Sequence, residues 1–129
     1  MTDASAAKAG LILFAHGARD PRWAAPFQAV AARVRERRPG VEVRLAFLEL
    51  MTPDLAGAGA DLAAAGCADV AVLPLFLGAG GHVRNDLPKL VDALRDAHPG
   101  MRWSLLPPVG ELPSVIDAMA DAGLAALAR

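Results

Sequence analysis

Sulfur, aromatic rings and net charge are all scarce in this sequence, and each shortage closes off a class of protein. Cys67 is the single cysteine among 129 residues, so no internal disulfide can staple the fold, which fits a reducing compartment. Aromatic residues make up 5% of the chain, too few for a platform on which nucleic-acid bases stack. A formal net charge of −1 leaves no electrostatic footprint for a nucleic acid. Hydrophobic residues reach 54%, yet charges interrupt every long apolar run, and none approaches the ~20 residues of a membrane-spanning helix. Residues 1–9 lack a signal-peptide core and read as a flexible tail ahead of one domain, residues 10–129. A chain of this length buries roughly two-thirds of its unfolded surface, enough for one core. The expectation is a soluble, cytoplasmic domain with neither nucleic acid nor membrane as partner.

What the chain does contain is a regular alternation, without linker, repeat or low-complexity segment. Residues 10–15 (GLILFA) form an apolar run read as the first strand. Asp20 and Pro21 follow as cap and first residue of a helix that Pro39-Gly40 ends. Residues 41–48 read as the second strand, ending at Glu49. Thr52-Pro53 repeats the cap-then-proline start, for a helix ending at Gly66. Residues 69–73 are the third strand, the third helix runs from about Leu87 to Ala97, and residues 101–106 are the fourth strand. A last helix starts near Pro113. This βαβαβαβα order implies a four-stranded parallel sheet with helices on both faces. Strands one and three are continuously apolar, as central strands should be. Strand two (Val41, Glu42, Val43, Arg44) and strand four (Met101, Arg102, Trp103, Ser104) alternate, as edges do. The order 2-1-3-4 follows, as in one half of a flavodoxin-like fold, with its switch point between strands one and three.

In such sheets ligands bind at the carboxyl ends of the strands. That edge receives His16 after strand one, Glu49 after strand two, and His82 after the Gly78-Ala79-Gly80-Gly81 loop that follows strand three. Two imidazoles and a carboxylate suit a divalent first-row metal such as cobalt, nickel, iron or zinc, and a neutral imidazole also accepts a proton near pH 7. A loop histidine can equally be structural. The glycines can simply supply turn geometry, or they let something large or anionic approach the backbone; their spacing matches no nucleotide-binding fingerprint. Arg19, Arg22 and Arg84 flank the histidines, either as receivers of a ligand's carboxylates or as solvated surface. His98 and Cys67 fall at the opposite edge and read as structural, the arginines at 33, 35, 37 and 38 as a solvated helix face, and Trp23, Phe27, Phe47 and Trp103 as core or interface filler.

These motifs match a known pattern. LILFAHGARDPRW, FLELMTPDL, PLFLGAGGHVRNDLP and LLPPVGELP, taken together over nearly the whole chain, resemble the sirohydrochlorin chelatases, the small class II chelatases that insert cobalt or iron into a tetrapyrrole. The resemblance implies that His16 and His82 are the metal- and proton-handling histidines, not partitioned between ligand and base, with Glu49 as the accompanying carboxylate. It places Asp86 behind them, in the position of the family's acidic residue before proline. Ala18 stands where the family usually has serine, so a hydroxyl contact there is lost. Arg19, Arg84 and the backbone at Gly80 and Gly81 would receive the eight carboxylates of sirohydrochlorin. The metal (Co²⁺, Fe²⁺ or Ni²⁺) would be a substrate, with no organic cofactor. The chain looks like the short, single-domain form, expected to make its cleft as a homodimer with contacts near Leu50-Met51 and Leu77-Gly78. A phosphohistidine phosphatase or mutase is disfavoured, because Ala15 stands where its motif needs arginine before histidine. A metal or tetrapyrrole carrier without insertion activity would use the same cleft.

Overall fold

The structure of the protein, a computed structural model, describes residues 8–127. Strands β1 (Lys8–Ala15), β2 (Glu42–Phe47), β3 (Cys67–Pro74) and β4 (Arg102–Leu105) alternate with helices α1 (Ala25–Arg37), α2 (Leu55–Ala64), α3 (Gly81–Ala97) and α4 (Pro113–Ala125). Every strand pairing is parallel, and the order is β2-β1-β3-β4, as the apolar and alternating strand sequences predict. β1 begins at Lys8, so Lys8 and Ala9 of the expected tail pair in the sheet; residues 1–7 of that tail lie outside the described residues.

The two-residue period of the strands divides the core into two layers. Ile12, Phe14, Val70 and Val72 face α2 and α3, meeting Leu55, Leu62, Leu87, Val91 and Leu94. Leu13 and Val43 point the other way, onto Ala31 and Val34 of α1. Ala15 and Phe47 extend that second layer to Trp23 and Phe27, whose rings pack 4.7 Å apart. Trp103 is core, as expected of an aromatic on an inward-facing edge position. Helix α4 differs from the other three: it buries no residue, and its main packing is on the short 3₁₀ turn Val109–Glu111 that leads into it.

Three helix starts depart from the sequence expectation. Asp20 does cap, accepting from the Arg22 N–H at 2.9 Å, but what it caps is a 3₁₀ turn, Pro21–Ala24, that leads into α1. The cap of α2 is Asp54 rather than Thr52, because its carboxylate reaches the Gly57 N–H at 2.8 Å. Pro53 lies outside the helix, its carbonyl accepting from the Phe47 N–H at 2.9 Å. Helix α3 begins at Gly81, six residues before the expected Leu87, so Pro88 sits inside it. An interior proline removes one helical hydrogen bond. Here its ring is on the exposed side, and the buried stripe Leu87, Val91, Leu94 carries the helix past it.

Cys67, at the start of β3, is buried, and burial pushes its thiol pKa up. Since the thiolate is the nucleophile, alkylation of native protein by iodoacetamide at pH 7 is expected to be at least about tenfold slower than alkylation in urea. Equal rates would contradict this placement.

Candidate active site

The parallel ladder between β1 and β2 does not stop where the strands do. Beyond the last pair, Ala15 with Phe47, the Leu48 N–H donates to the Ala15 carbonyl at 2.9 Å and the Glu49 N–H to the His16 carbonyl at 3.1 Å. Those two bonds bring His16 and Glu49 into register at the carboxyl edge. Their side chains meet there, His16 Nε2 lying 3.4 Å from Glu49 Oε2, and both remain about half exposed (50% and 56%). The contact depends on Gly17, whose φ is +96°; a Cβ at this position would fall 1.8 Å from the Glu49 carbonyl oxygen. Only glycine lets the two backbones approach this closely.

The third wall comes from β3. Leu75 continues the ladder by donating to the Phe14 carbonyl at 2.7 Å, which sets Phe76 against His16 with ring centroids 6.1 Å apart in an edge-on arrangement. Phe76 is buried and belongs to the core, so it fixes the imidazole from behind while the imidazole edge toward Glu49 stays open. The loop after Phe76 is gripped by the loop after β4. The Gly110 N–H donates to the Phe76 carbonyl at 3.0 Å, and a Cβ on Gly110 would lie 1.9 Å from the Leu77 carbonyl oxygen.

His82 stands in the first turn of α3 and is exposed, on the helix itself and not at the end of the preceding loop as the sequence suggests. Because α3 begins early, His82 and Asp86 lie one turn apart on one helix face. Gly80 is the helix cap and offers no side chain to the first N–H groups, those of Gly81 and its neighbours, which leaves them as donors facing out from the positive end of the helix. Among the described residues, no group of three or more His, Cys, Asp or Glu side chains stands close enough together to hold a metal ion. The structure therefore pairs His16 with Glu49 and leaves His82 outside that pair.

Of the flanking arginines, Arg22 chelates the Asp20 carboxylate, its Nη2 at 2.8 Å, which holds that carboxyl below the usual carboxylate range. Arg84 pairs with Glu111 at 2.8 Å and reaches the Ala79 carbonyl at 3.5 Å. It lines a pocket of about 230 Å³ between α3 and the loop after β4, floored by Leu87 and Leu105. Arg19 is exposed and forms no ion pair among the described residues. Glu111 and Phe76 are the participants that sequence reasoning passes over. Glu111 lies 27 residues from its partner and carries no local signal; Phe76 reads simply as apolar. Leu50 adds a third surprise, a non-glycine residue at φ +66°. The Met51 N–H donates to the Glu49 carbonyl at 2.8 Å, closing a tight turn that leaves Leu50 58% exposed beside the site. His98 lies at the far end of α3, where its backbone N–H caps the helix and its carbonyl accepts from the Trp103 indole at 3.4 Å.

A family model described as CbiX matches residues 10–123. The sirohydrochlorin cobaltochelatase of Methanococcoides burtonii is 27% identical over 84 residues, 65% of this chain and 64% of that protein. The protein of the same name from Methanosarcina acetivorans is 30% identical over 84 residues, 65% of each chain. The chain thus spans just under two-thirds of the length of these relatives. A crystal structure described as a cobalamin biosynthesis CbiX protein, from Marinobacter aquaeolei, superposes with a TM-score of 0.80 at 32% identity, over 92% of this chain and 97% of that one. The sirohydrochlorin chelatase SirB of Bacillus subtilis, in complex with cobalt, shares the fold with a TM-score of 0.75 at 23% identity, over 89% of this chain and 49% of its own.

Proposed function

The chain belongs to the CbiX family, and from that membership we propose that it inserts a divalent metal, cobalt or iron, into sirohydrochlorin. The observation that carries the reading is the half-exposed pair His16 and Glu49, 3.4 Å apart at the carboxyl edge of the two paired strands. A neutral imidazole nitrogen and a carboxylate oxygen are suitable first donors to a borderline divalent ion. Both are open to solvent on one side, so a metal held there can also leave, as a substrate must.

Insertion replaces two pyrrole N–H protons by one M²⁺, so two protons have to be accepted as the metal enters. His16 and His82 are the acceptors this edge provides, with Glu49 steadying the metal. Asp86, one turn from His82 on the same helix face, would hold that imidazole in one orientation. The carboxylates of the tetrapyrrole would be received by the uncapped N–H groups at Gly80 and Gly81 and by Arg19; Arg84 joins them when Glu111 releases it. Leu50 and Leu77, exposed on either side of the pair, offer apolar surface to the macrocycle or to a second copy. The working unit in this reading is a homodimer, because one sheet edge forms one wall and a ligand of this size needs most of its surface covered.

The test is incubation of catalytic amounts of protein with sirohydrochlorin and Co²⁺, Fe²⁺ or Ni²⁺ in turn, following the visible spectrum of the macrocycle. Many turnovers per chain with cobalt or iron are expected. A spectral change that stops at one equivalent would identify a carrier and overturn the reading.

A further inference from the structure

Leu50 holds a backbone conformation that its own side chain disfavours. Its φ is +66°, in the left-handed region where a bulky residue is an outlier and glycine or asparagine is the usual occupant. The Met51 N–H donates across it to the Glu49 carbonyl at 2.8 Å. A bond from the first to the third residue, with positive φ between them, is the rare and strained form of the γ-turn. The neighbours account for the bend. Glu49 is tied by its N–H to the His16 carbonyl at 3.1 Å, while Met51 packs onto the cluster of Ala15, Ala24 and Phe47. The segment is then closed behind them by the Phe47 N–H, which donates to the Pro53 carbonyl at 2.9 Å. Those anchors do not account for leucine. Leu50 is 58% exposed, so its side chain gains little from the fold, and glycine would make the same turn without the strain.

Strain of this kind persists where it serves a site, and Leu50 stands beside one. Its Cα is ~3.8 Å from that of Glu49, the carboxylate that meets His16 at the open edge. On the other side of His16, in the order β2-β1-β3, Leu77 follows β3 and is 70% exposed. Two apolar side chains thus flank the polar pair. We infer that Leu50 is a substrate-contacting residue, held out by the strained turn so that the flat face of the macrocycle rests on it while its central nitrogens come over His16 and Glu49. This contact rests on the reading of that pair as the donors of a metal-inserting site. The geometry of the ligand supports the choice. A ring system that brings its centre to a metal at His16 and Glu49 extends further than the spacing of consecutive residues, and therefore covers Leu50. The chemistry agrees as well. Arg19 and the free N–H groups at Gly80 and Gly81 suit the charged rim of such a ligand, but the conjugated face is apolar and is recognised by apolar contact.

The experiment titrates metal-free sirohydrochlorin into the full chain, followed by its visible spectrum, for the parent, Leu50→Gly, Leu50→Ala and Leu50→Met. The Kd is expected to rise about tenfold in Leu50→Gly and Leu50→Ala, the effect of losing one buried leucine side chain. Leu50→Met, which keeps the apolar reach, is expected to bind like the parent. Melting curves separate this role from a structural one. Glycine relieves the strain, so Leu50→Gly is expected to melt at the parent's temperature or a few °C above it, losing affinity without losing stability. The affinity of Leu50→Ala for Co²⁺ alone is expected to match the parent's. Leu50→Gly and Leu50→Ala chains that bind the macrocycle as the parent does would overturn the inference and leave the functional reading standing. A parallel loss of Co²⁺ affinity would mean that the turn acts by placing Glu49, and a change of mass in light scattering would assign the side chain to a contact between copies; either would overturn it too. A parent chain that binds no sirohydrochlorin would remove the functional reading, and this contact with it.

Discussion

Replacement of Gly17 by alanine is expected to lower the melting temperature by on the order of 10 °C and to reduce metal insertion with it. Two costs add at this position. The backbone sits at φ +96°, a conformation that costs a residue with a Cβ roughly 1–2 kcal/mol. The new methyl would also stand 1.8 Å from the Glu49 carbonyl oxygen and 3.0 Å from its carbon. That obstacle is backbone and cannot rotate away. It can retreat only by lengthening the bond from the Glu49 N–H to the His16 carbonyl, the bond that aligns the two donors. Stability and site geometry are therefore lost together. Gly78→Ala is the control, since nothing lies within 4 Å of a Cβ there and its φ is not in the left-handed region. Thermal denaturation followed by circular dichroism checks the first effect. A Gly17→Ala chain melting within about 2 °C of the parent would show that the β1 and β2 loops are not locked as described.

The sheet was legible in the sequence because strand burial is written in composition. Unbroken apolar runs at Leu11–Phe14 and Val70–Leu73 can only be central, and alternation at Glu42–Arg44 and Arg102–Ser104 marks edges. Once the order is known, the residue following each strand is placed at one edge, and that is how His16 and Glu49 come to share a site. The start of α3 was hidden by Pro88, which resembles a first helical residue. A contrary signal existed: Val83, Leu87, Leu90, Val91 and Leu94 keep helical spacing across the proline, and all five pack in the core layer. Weighing that period above the single proline recovers the first turn and with it the His82–Asp86 face. The pairing of Arg84 with Glu111 had no such signal, because a contact 27 residues long in a chain rich in exposed charges depends on loop geometry. The bare state of α4 was equally invisible. Its sequence carries no signal for that, because the direction in which the helix leaves the sheet is set by loop contacts at Gly110 and Leu112.

The single substitutions His16→Ala and His82→Ala are each expected to reduce turnover at least about a hundredfold, the scale on which a positioned acid–base group acts, with little change in stability. Both side chains are exposed, neither forms a hydrogen bond with another described residue that the fold depends on, and surface truncations of this kind usually alter stability by no more than about 0.5 kcal/mol. Glu49→Ala should be milder, about tenfold, because a carboxylate that steadies the metal can be replaced in part by water whereas the proton acceptor cannot. His98→Ala tests whether the damage belongs to this edge or to histidine loss in general. His98 serves α3 and Trp103 through its backbone N–H and carbonyl, both retained by alanine, and the ring adds only a tilted contact to Trp103 at 5.9 Å. Near-parental turnover is therefore expected from His98→Ala. Initial rates of macrocycle metallation, measured beside melting curves for all four variants, separate these outcomes. A His98→Ala chain as inactive as His82→Ala would place the working edge at the other end of the sheet, whereas a fully active His82→Ala chain would leave His16 to carry the proton transfers without help from α3.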